Sequence, residues 1–253
     1  MVYSPHIILV ISCQANRESR QRAIRETWLR RLPAGNACYF VEGGHDDECI
    51  VDGRIQLATP DGYDDLAEKS FRAIEFILRE SDCQGIIKCD DDTYVHPQRC
   101  MDAIDTFADY NGNRTQGQDH FSPYAQGGCY WLSRKAMEAV VSAPFESHVD
   151  SPWFKGNTRM RKLGEGSYRE STSIEDVMVG SLLAKAGFEL TDDGRFNVQI
   201  RPVVYLEHEL ISNHYVSPKW MYRIDRMAEW RQTLFNRLLM RLWTSLPSAS
   251  KPR

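Results

Sequence analysis

The chain has 253 residues, 42% of them hydrophobic and 11% aromatic, which suffices for one large α/β domain or two small ones and excludes a disordered chain. Its formal net charge of −4 at pH 7 argues against a protein that binds nucleic acid. No apolar stretch approaches the roughly 18 residues that a membrane-spanning helix needs, so the sequence predicts no transmembrane segment.

Apolar runs that predict strands alternate with helical patterns along the first 110 residues. Strands are predicted at 7–11, 37–41, 50–57 and 85–89, and helices at 17–31, 63–80 and 97–110. Because this alternation is typical of βαβ units, it predicts an α/β domain with a mostly parallel central sheet flanked by helices.

The second half of the chain has a different pattern of elements. It is predicted to contain a polar turn at 111–118, a turn and strand at 124–132, helices at 133–141 and 174–187, and a long polar segment at 151–173. Ser133 is the expected N-cap of the first of these helices. The polar segment has no clear period, which is typical of binding loops or lids.

Three consecutive carboxylates, Asp90, Asp91 and Asp92, directly follow the apolar run at 85–89. A buried strand delivers such acids to its carboxyl end, where open α/β folds bind ligands. Asp90 and Asp92 point to the same side of an extended chain, so their oxygens suit a divalent cation such as Mg²⁺ or Mn²⁺. The alternative interpretation is a solvated acidic turn.

Six segments in order, from about residue 17 to about residue 222, resemble the β-1,3-galactosyltransferase and Fringe-like family. They are RAIRETW at 22–28, DGYDDLAEK at 61–69, KCDDDTYV at 88–95, YAQGGCYWLS at 124–133, EDVMVG at 175–180 and NHY at 213–215. Asp65 stands where the family usually has Asn. Each match alone is weak, whereas six in family order cover most of the chain.

The resemblance implies a GT-A type glycosyltransferase domain at 1–222, with a nucleotide-sugar half at 1–110 and an acceptor half at 111–222. It implies transfer of a hexose or N-acetylhexosamine, galactose favoured, from a UDP-sugar to a hydroxyl of a glycan, glycolipid or glycoprotein. The implied cofactor is Mn²⁺, with Mg²⁺ as the alternative, and the implied stereochemistry is inversion. Donor and linkage rest on the resemblance alone.

Family members are often anchored in the Golgi by an N-terminal membrane helix. The expected location is therefore the Golgi lumen if the chain is a trimmed catalytic domain. It is the cytoplasm or a membrane surface if the chain is the natural full length.

The metal site that the resemblance implies combines the acidic triplet with a distant histidine. Asp92 is expected to be the main protein ligand, and Asp90 is expected to reach the metal, directly or through water, or the ribose. His214 completes the set, because carboxylates with an imidazole suit Mn²⁺ better than Ca²⁺. Asp91 is expected to reach toward the donor sugar. The alternative for His214 is a surface histidine.

Inversion needs one general base that takes the proton of the attacking hydroxyl. Asp176 is the first candidate and Glu175 the second, with Glu175 also expected at the acceptor. The structural alternative for Asp176 is an acid at a helix N-terminus that complements the helix dipole. A retaining enzyme with a nucleophile under the sugar stays open.

The remaining expected contacts involve cationic, aromatic and glycine residues. Arg22, Arg25 and Lys69 are assigned to the diphosphate or nucleotide, Asp61 and Tyr63 to uracil or ribose, Gly127 and Gly128 to close backbone approach, and Trp131 and Trp153 to stacking on a sugar. The structural alternatives are solvated helix charges for the cationic residues, helix capping for Asp61 and Tyr63, and an ordinary turn for the glycines.

The segment 223–253 carries seven basic residues against two acids and has apolar residues at three- and four-residue steps. This pattern predicts a basic amphipathic helix and tail that contact an anionic membrane surface, or a helix that packs on the enzyme body.

Two other classes of function compete with the glycosyltransferase hypothesis. A metal-dependent nucleotidyl or phosphoryl transferase would need a glycine-rich phosphate loop near the first strand, and residues 12–16 contain no glycine. A non-catalytic sugar-binding module would not need Asp176.

Overall fold

The computed structural model describes residues 4–116, 122–148, 159–163, 167–171, 175–198 and 209–229. The strands are β1 (His6–Ile11), β2 (Ala37–Glu42), β3 (Cys49–Val51), β4 (Arg54–Gln56), β5 (Gly85–Asp90), β6 (Tyr94–Val95), β7 (Tyr110–Thr115), β8 (Tyr124–Ser133), β9 (Arg159–Leu163), β10 (Ser167–Ser171), β11 (Thr191–Asp192), β12 (Phe196–Asn197) and β13 (Ser212–Asn213). The helices are α1 (Arg22–Glu26), α2 (Leu66–Glu80), α3 (Pro97–Ala103), α4 (Arg134–Val140), α5 (Glu175–Lys185) and α6 (218–229).

The central sheet has eight strands in the order β11-β7-β8-β5-β1-β2-β4-β3. Its middle strands β5, β1, β2 and β4 are parallel, whereas β8 runs antiparallel to both β5 and β7. Two small sheets pair β9 with β10, and β6 with β13 and β12. The predicted α/β class with a mixed, mostly parallel sheet between helices is therefore confirmed.

Alternation along β1 divides the core into two layers. Ile7 and Leu9 face one layer, which includes apolar residues of α2, α4 and α5, and Ile8 and Val10 face the other, which includes residues of α1, α3 and α6. All four side chains are at most 1% exposed. Because consecutive strand residues point to opposite faces, a continuous apolar run is what a doubly covered strand requires.

Several predicted elements are confirmed with small shifts in their ends. The helix predicted at 63–80 is α2, preceded by a short 3-10 turn at Tyr63–Asp65. The helix expected at 174–187 is α5. The side chain of Ser133 caps α4 by accepting a hydrogen bond from the backbone N–H of Ala136. This bond satisfies one of the free N–H groups at the helix start.

The helix predicted at 17–31 is interrupted. A π turn at Arg17–Gln21 leads into α1, and a separate 3-10 turn at Trp28–Arg31 follows it. Thr27 lies between them with φ −119° and ψ −111°, outside the helical region. Its hydroxyl donates to the carbonyl of Ala23, and the buried Trp28 indole donates to the carbonyl of Thr93. The helix is thus interrupted next to the buried Trp28.

The single strand predicted at 50–57 is a hairpin of β3 and β4. Asp52 and Gly53 form its turn, with φ of 49° and 71°. A two-residue turn with positive φ at both positions matches the twist of a hairpin, and the Asp-Gly pair is a common sequence for it.

The helix predicted at 97–110 is shorter than expected, and the polar turn predicted at 111–118 is wrong over its described residues. After α3 and a 3-10 turn at Ile104–Thr106, residues Tyr110–Thr115 form strand β7. The Tyr110 hydroxyl accepts a hydrogen bond from the backbone N–H of Ala125 on β8. Because most residues of this strand are polar, the sequence has no apolar alternation there that would predict a strand. The segment 151–173 also contains the antiparallel pair β9 and β10.

The domain boundary expected at residue 222 falls inside helix α6. Met221 and Ile224 are buried in the core, and the Asp225 carboxylate binds Arg30, Arg31 and the Tyr94 hydroxyl. The described part of α6 therefore packs on the body, as the second alternative predicted. Residues 230–253 lie outside the described residues, so their membrane contact stays a prediction. Among the described helices, none has the length and apolarity needed to cross a bilayer.

Candidate functional site

The candidate site lies at the carboxyl ends of the central parallel strands. Asp90 is the last residue of β5, and it pairs in register with Ile11 at the end of β1. Backbone hydrogen bonds bring residues 212–216, which are far away in the sequence, to the same edge of the sheet. Strand β13 pairs antiparallel with β6, and the N–H of Val216 donates to the carbonyl of Asp92 at 2.7 Å. Ligand sites of open α/β folds occupy this edge of the sheet.

Asp90, Asp92 and His214 form the cluster that the sequence predicted as a metal site. His214 Nε2 lies 3.1 Å from Asp92 Oδ1 and 3.6 Å from Asp90 Oδ2. One ligand atom from each of the three residues lies within 4.8 Å of the others. Two carboxylates and an imidazole are a donor set that fits a divalent cation of the Mn²⁺ type. This cluster is therefore a candidate divalent-cation site.

Gly128 makes room for the His214 ring. A Cβ atom at position 128 would overlap the Nδ1, Cγ and Cβ atoms of His214, so a side chain there would displace the imidazole. On its other side the ring stacks on Tyr215, with 3.8 Å between the ring centroids. Gly128, which is predicted to permit close approach to a substrate, thus permits close approach of the His214 ring.

The carboxylate of Asp92 is held in its ionised form. Burial raises its pKa, but the hydrogen bond and charge of His214 and the charge of Arg20 outweigh burial and lower this pKa below the ordinary value. An ionised carboxylate is the form that binds a cation. Binding of a cation by all three residues would also require neutral His214, because a protonated imidazole has no lone pair for a metal.

Asp91 points away from the metal cluster. Its carboxylate accepts hydrogen bonds from Ser12 Oγ and Asn16 Nδ2 at 2.7 Å and from Arg20 at 2.6 Å, and the residue is 4% exposed. These bonds join the triplet to the loop after β1, so this position does not support the expected reach to the donor sugar. Arg20 also lies 3.8 Å from Asp92, and the sequence analysis missed it.

Lys88 connects the metal cluster to the start of helix α5, and the sequence analysis did not assign it a role. It is 2% exposed, and its Nζ donates to Asp90 Oδ1 at 2.8 Å, to the carbonyl of Gly127 at 2.7 Å and to Glu175 Oε2 at 2.9 Å. The signal was a lysine inside an apolar strand, because a buried lysine needs anionic partners. Its partner Glu175 is 87 residues away in the sequence.

Glu175 and Asp176 have different surroundings although they are adjacent. Glu175 is 2% exposed and is bound by Lys88 and by the Tyr130 hydroxyl. Asp176 accepts bonds from the backbone N–H groups of Gly127 and Val177, at 3.2 and 3.0 Å. Burial raises the pKa of both carboxyls. Asp176 has no salt bridge to a cationic side chain among those of the described residues, so it is the freer of the two acids.

An open pocket connects these groups. Its lining includes Tyr63, Asp90, Gly127, Asp176, His214 and Tyr215. Tyr63 and Tyr215 are 58% and 53% exposed, so two aromatic rings border the cavity. Tyr215 has a φ of 59°, which is uncommon for a residue with a bulky side chain. Two of the predicted metal ligands, Asp90 and His214, and the predicted base Asp176 thus line one cavity.

Asp61 and Lys69 belong to a hydrogen-bonded network in which the lysine is buried and the aspartate is partly buried. Lys69 is 1% exposed and binds Asp61 Oδ1 at 2.9 Å and the carbonyl of Ser12 at 2.7 Å. Asp61 also accepts the backbone N–H groups of Gln14 and Gly43, both at 2.8 Å. These contacts join the loops that follow β1 and β2. A contact of Asp61 or Lys69 with a nucleotide stays a prediction.

Other predicted site residues have structural partners elsewhere. Arg22 forms an exposed ion pair with Glu26, and Arg25 lies 4.5 Å from the ring centroid of Phe40. The structure does not bring these arginines into the cluster, and their contact with a diphosphate stays a prediction.

Trp131 is a correction to the predicted acceptor site. It is only 5% exposed, its indole N–H donates to the carbonyl of Ala108, and its ring packs against Phe107. The core therefore covers the faces that would stack on a sugar. Trp153 lies outside the described residues.

Comparisons with known proteins agree on the fold. No family model matches the sequence. The galactosyltransferase LgtC, solved in complex with donor and acceptor sugar analogs, is similar with a TM-score of 0.50 and 11% identity, over 90% of this chain and 99% of that one. An active-site mutant of LgtC gives a TM-score of 0.51 and 11% identity, over 88% of this chain and 95% of that one. The protein therefore has a GT-A-like α/β fold.

A third similar structure is the glycosyltransferase GlyE from Streptococcus pneumoniae TIGR4, with a TM-score of 0.46 and 11% identity over 88% of this chain. The chain spans 60% of the length of that protein.

Proposed function

We propose that this protein is a metal-dependent glycosyltransferase that moves a sugar from a UDP-sugar to a hydroxyl of a glycan, glycolipid or glycoprotein. The observation that carries the proposal is the position of Asp90, Asp92 and His214, whose ligand atoms lie within 4.8 Å of one another at a pocket that Asp176 also lines. The likeness to LgtC, which was solved with donor and acceptor sugar analogs, supports a two-substrate pocket on this fold. Galactose is the favoured sugar because of the motif resemblance.

The donor side of the reaction requires stabilisation of a departing diphosphate. Asp90 Oδ2, Asp92 and His214 would hold the divalent cation, because these atoms converge and Lys88 occupies Asp90 Oδ1. When bound, such a cation supplies positive charge to the diphosphate oxygens as the bond to the sugar breaks. Mn²⁺ is the ion we favour, with Mg²⁺ as the alternative.

On the acceptor side, Asp176 is the proposed general base. The acceptor hydroxyl oxygen attacks the anomeric carbon, the bond from that carbon to the diphosphate breaks, and the electron pair leaves with UDP. The hydroxyl proton passes to the Asp176 carboxylate. Direct attack of this kind inverts the configuration at the anomeric carbon. Glu175 is a weaker candidate, because Lys88 and Tyr130 already engage its oxygens.

Aromatic rings at the pocket support a sugar as the ligand. Tyr63 and Tyr215 line the cavity and are more than half exposed, and although His214 covers one face of Tyr215, aromatic surface is exposed for contact with a pyranose ring. These tyrosines take the role that the sequence analysis gave to Trp131.

A screen of UDP-sugars tests the proposal without knowledge of the acceptor. We expect one UDP-sugar to be hydrolysed slowly in the presence of Mn²⁺ and not in the presence of a chelator, with UDP as the product. NMR of the first sugar formed from a UDP-α-sugar should show the β anomer if the reaction inverts. A retained α anomer would remove Asp176 as the base of a direct displacement. Release of nucleoside monophosphate in place of UDP would support the nucleotidyl transferase alternative, and binding without turnover would support the sugar-binding module.

A further inference from the structure

The ammonium group of Lys88 lies where the two halves of the proposed reaction meet. It contacts Asp90, which belongs to the cation cluster, and Glu175, which directly precedes the proposed base Asp176. Its third bond goes to the carbonyl of Gly127, whose N–H donates to Asp176. One side chain therefore contacts a metal ligand, the neighbour of the base and the backbone that orients the base.

The hydrogen bonds of Lys88 to Asp90 and Glu175 have different consequences for the site. Lys88 occupies Asp90 Oδ1 and leaves Oδ2 as the oxygen that faces His214, 3.6 Å away. It also neutralises Glu175, which is 2% exposed and would otherwise be an unpaired charge in the core. The three acceptors use all three N–H bonds of the ammonium group, so Lys88 has no donor left for a substrate.

We propose that Lys88 is a positioning residue for the transfer reaction, one that fixes Asp90 with a single oxygen toward the cation and holds the start of α5 so that Asp176 faces the same cavity. The inference rests on the proposed function. A purely structural role is the competing interpretation, in which Lys88 only compensates the buried charge of Glu175. The two interpretations differ in what happens when both charges are removed together.

Two variants, one of which keeps the local net charge of the wild-type protein, separate these interpretations. Glu175→Gln keeps Lys88 in place on Asp90. Glu175→Gln combined with Lys88→Met removes the lysine as well, and the local net charge is then the same as in the wild-type protein, because one cation and one anion have both gone. The measured quantity is the gain in UDP affinity on addition of Mn²⁺, by isothermal titration calorimetry, with thermal melting as the check on folding.

Glu175→Gln is the reference variant, because it lacks the charge of Glu175 and retains Lys88. Relative to this reference, the double variant should lose about 10-fold to 100-fold of the Mn²⁺-dependent gain, the usual cost of removing a group that orients a metal ligand. An equal gain in the two variants would overturn the proposal, because Lys88 would then only compensate Glu175. If the double variant melts below the assay temperature, the combination of Lys88→Gln with Glu175→Gln makes the same comparison with a polar side chain.

The positioning role also predicts an effect on turnover that binding alone does not explain. With the donor identified by the UDP-sugar screen, the double variant should lose a larger factor in kcat at saturating Mn²⁺ and donor than Glu175→Gln does. Equal kcat values would contradict control of Asp176 by Lys88. Failure of the wild-type protein to bind UDP with Mn²⁺ would instead refute the proposed function, so the two failures are distinguishable.

Discussion

Two acidic groups at the same edge of the sheet have opposite electrostatic characters. Asp61 is matched by one lysine, Lys69, and its oxygens also accept two backbone N–H groups. The second group contains five carboxylates, and within the described part of the chain two cationic side chains bind them, Lys88 and Arg20, together with the imidazole of His214. Its carboxylates are Asp90, Asp91, Asp92, Glu175 and Asp176.

The two groups differ in how their charges are compensated. The Asp61–Lys69 pair is neutral, and Asp61 also accepts two backbone N–H groups, so the pair joins the loops that follow β1 and β2. The second group keeps excess negative charge beside a cavity, and such an arrangement is costly unless a cation or a bound substrate compensates it. We therefore expect the functional site at the second group, whose charges do not balance.

The largest expected effect comes from Asp176→Asn, which removes the proposed base from the unbalanced group. Turnover should fall by about 10²- to 10⁴-fold, the usual contribution of general base catalysis, while Mn²⁺-dependent UDP affinity stays near wild type. Steady-state kinetics and calorimetry measure the two quantities. Turnover within about twofold of wild type would exclude Asp176 as the base.

The pH dependence of the same reaction sharpens this prediction. Burial raises the pKa of Asp176 above its ordinary value of 3.8, although the N–H groups of Gly127 and Val177 act against this rise. The base accepts a proton only when it is ionised, so turnover should fall as the pH drops through this raised pKa. A pH profile of kcat should show this acid limb in the wild-type protein. The limb should be absent from the residual activity of Asp176→Asn.

An intermediate effect is expected from glycine replacements beside the cluster. In Gly128→Ala the new Cβ overlaps the His214 ring, so the Mn²⁺-dependent gain in UDP affinity should fall by about 10-fold or more. Gly127→Ala is the matched control, because its Cβ would lie 3.4 Å from Glu175, an ordinary contact distance. Equal losses in the two variants would show that the His214 ring is not what Gly128 accommodates.

The smallest functional effect is expected from Lys69→Met, in the balanced pair. Removal of the lysine leaves Asp61 without its cation, so the free energy of unfolding should fall by about 3 kcal/mol in urea titrations. Mn²⁺-dependent UDP affinity at a temperature where the variant is folded should change by less than about threefold. Lys135→Met, at an exposed position, is the control for stability. A large loss of UDP affinity would place Lys69 in the nucleotide site, as the sequence suggested.

Local sequence patterns predicted the elements that deliver the site. The apolar run at 85–89 followed by acids correctly predicted a buried strand ending at the triplet, and the motif at 213–215 correctly brought His214 to Asp90 and Asp92. Alternation along an extended chain would also have separated Asp91 from its neighbours, yet the resemblance assigned it to the donor sugar. In the structure Asp91 instead binds the loop after β1, and its contact with a donor sugar stays a prediction.

Long-range pairing explains what sequence reasoning missed. The role of Lys88 depends on Glu175, and no local pattern connects two residues that far apart in the chain. Strand β7 is polar along most of its length, so it lacks the apolar pattern that predicts a strand. Its position depends on pairing with the distant strand β8 and on the bond of the Tyr110 hydroxyl to that strand. Trp131 was expected at a sugar, but a tryptophan in a central strand more often packs in the core.

Calorimetric titration of Mn²⁺ into the protein, with and without UDP, tests most directly whether Asp90, Asp92 and His214 hold a divalent cation. We expect one binding site in the wild-type protein and a loss of about 100-fold or more in affinity in Asp92→Ala, with Asp82→Ala, an exposed aspartate, unchanged. Mn²⁺ affinity that is equal in the wild-type and Asp92→Ala proteins would contradict the metal site and the glycosyl transfer built on it.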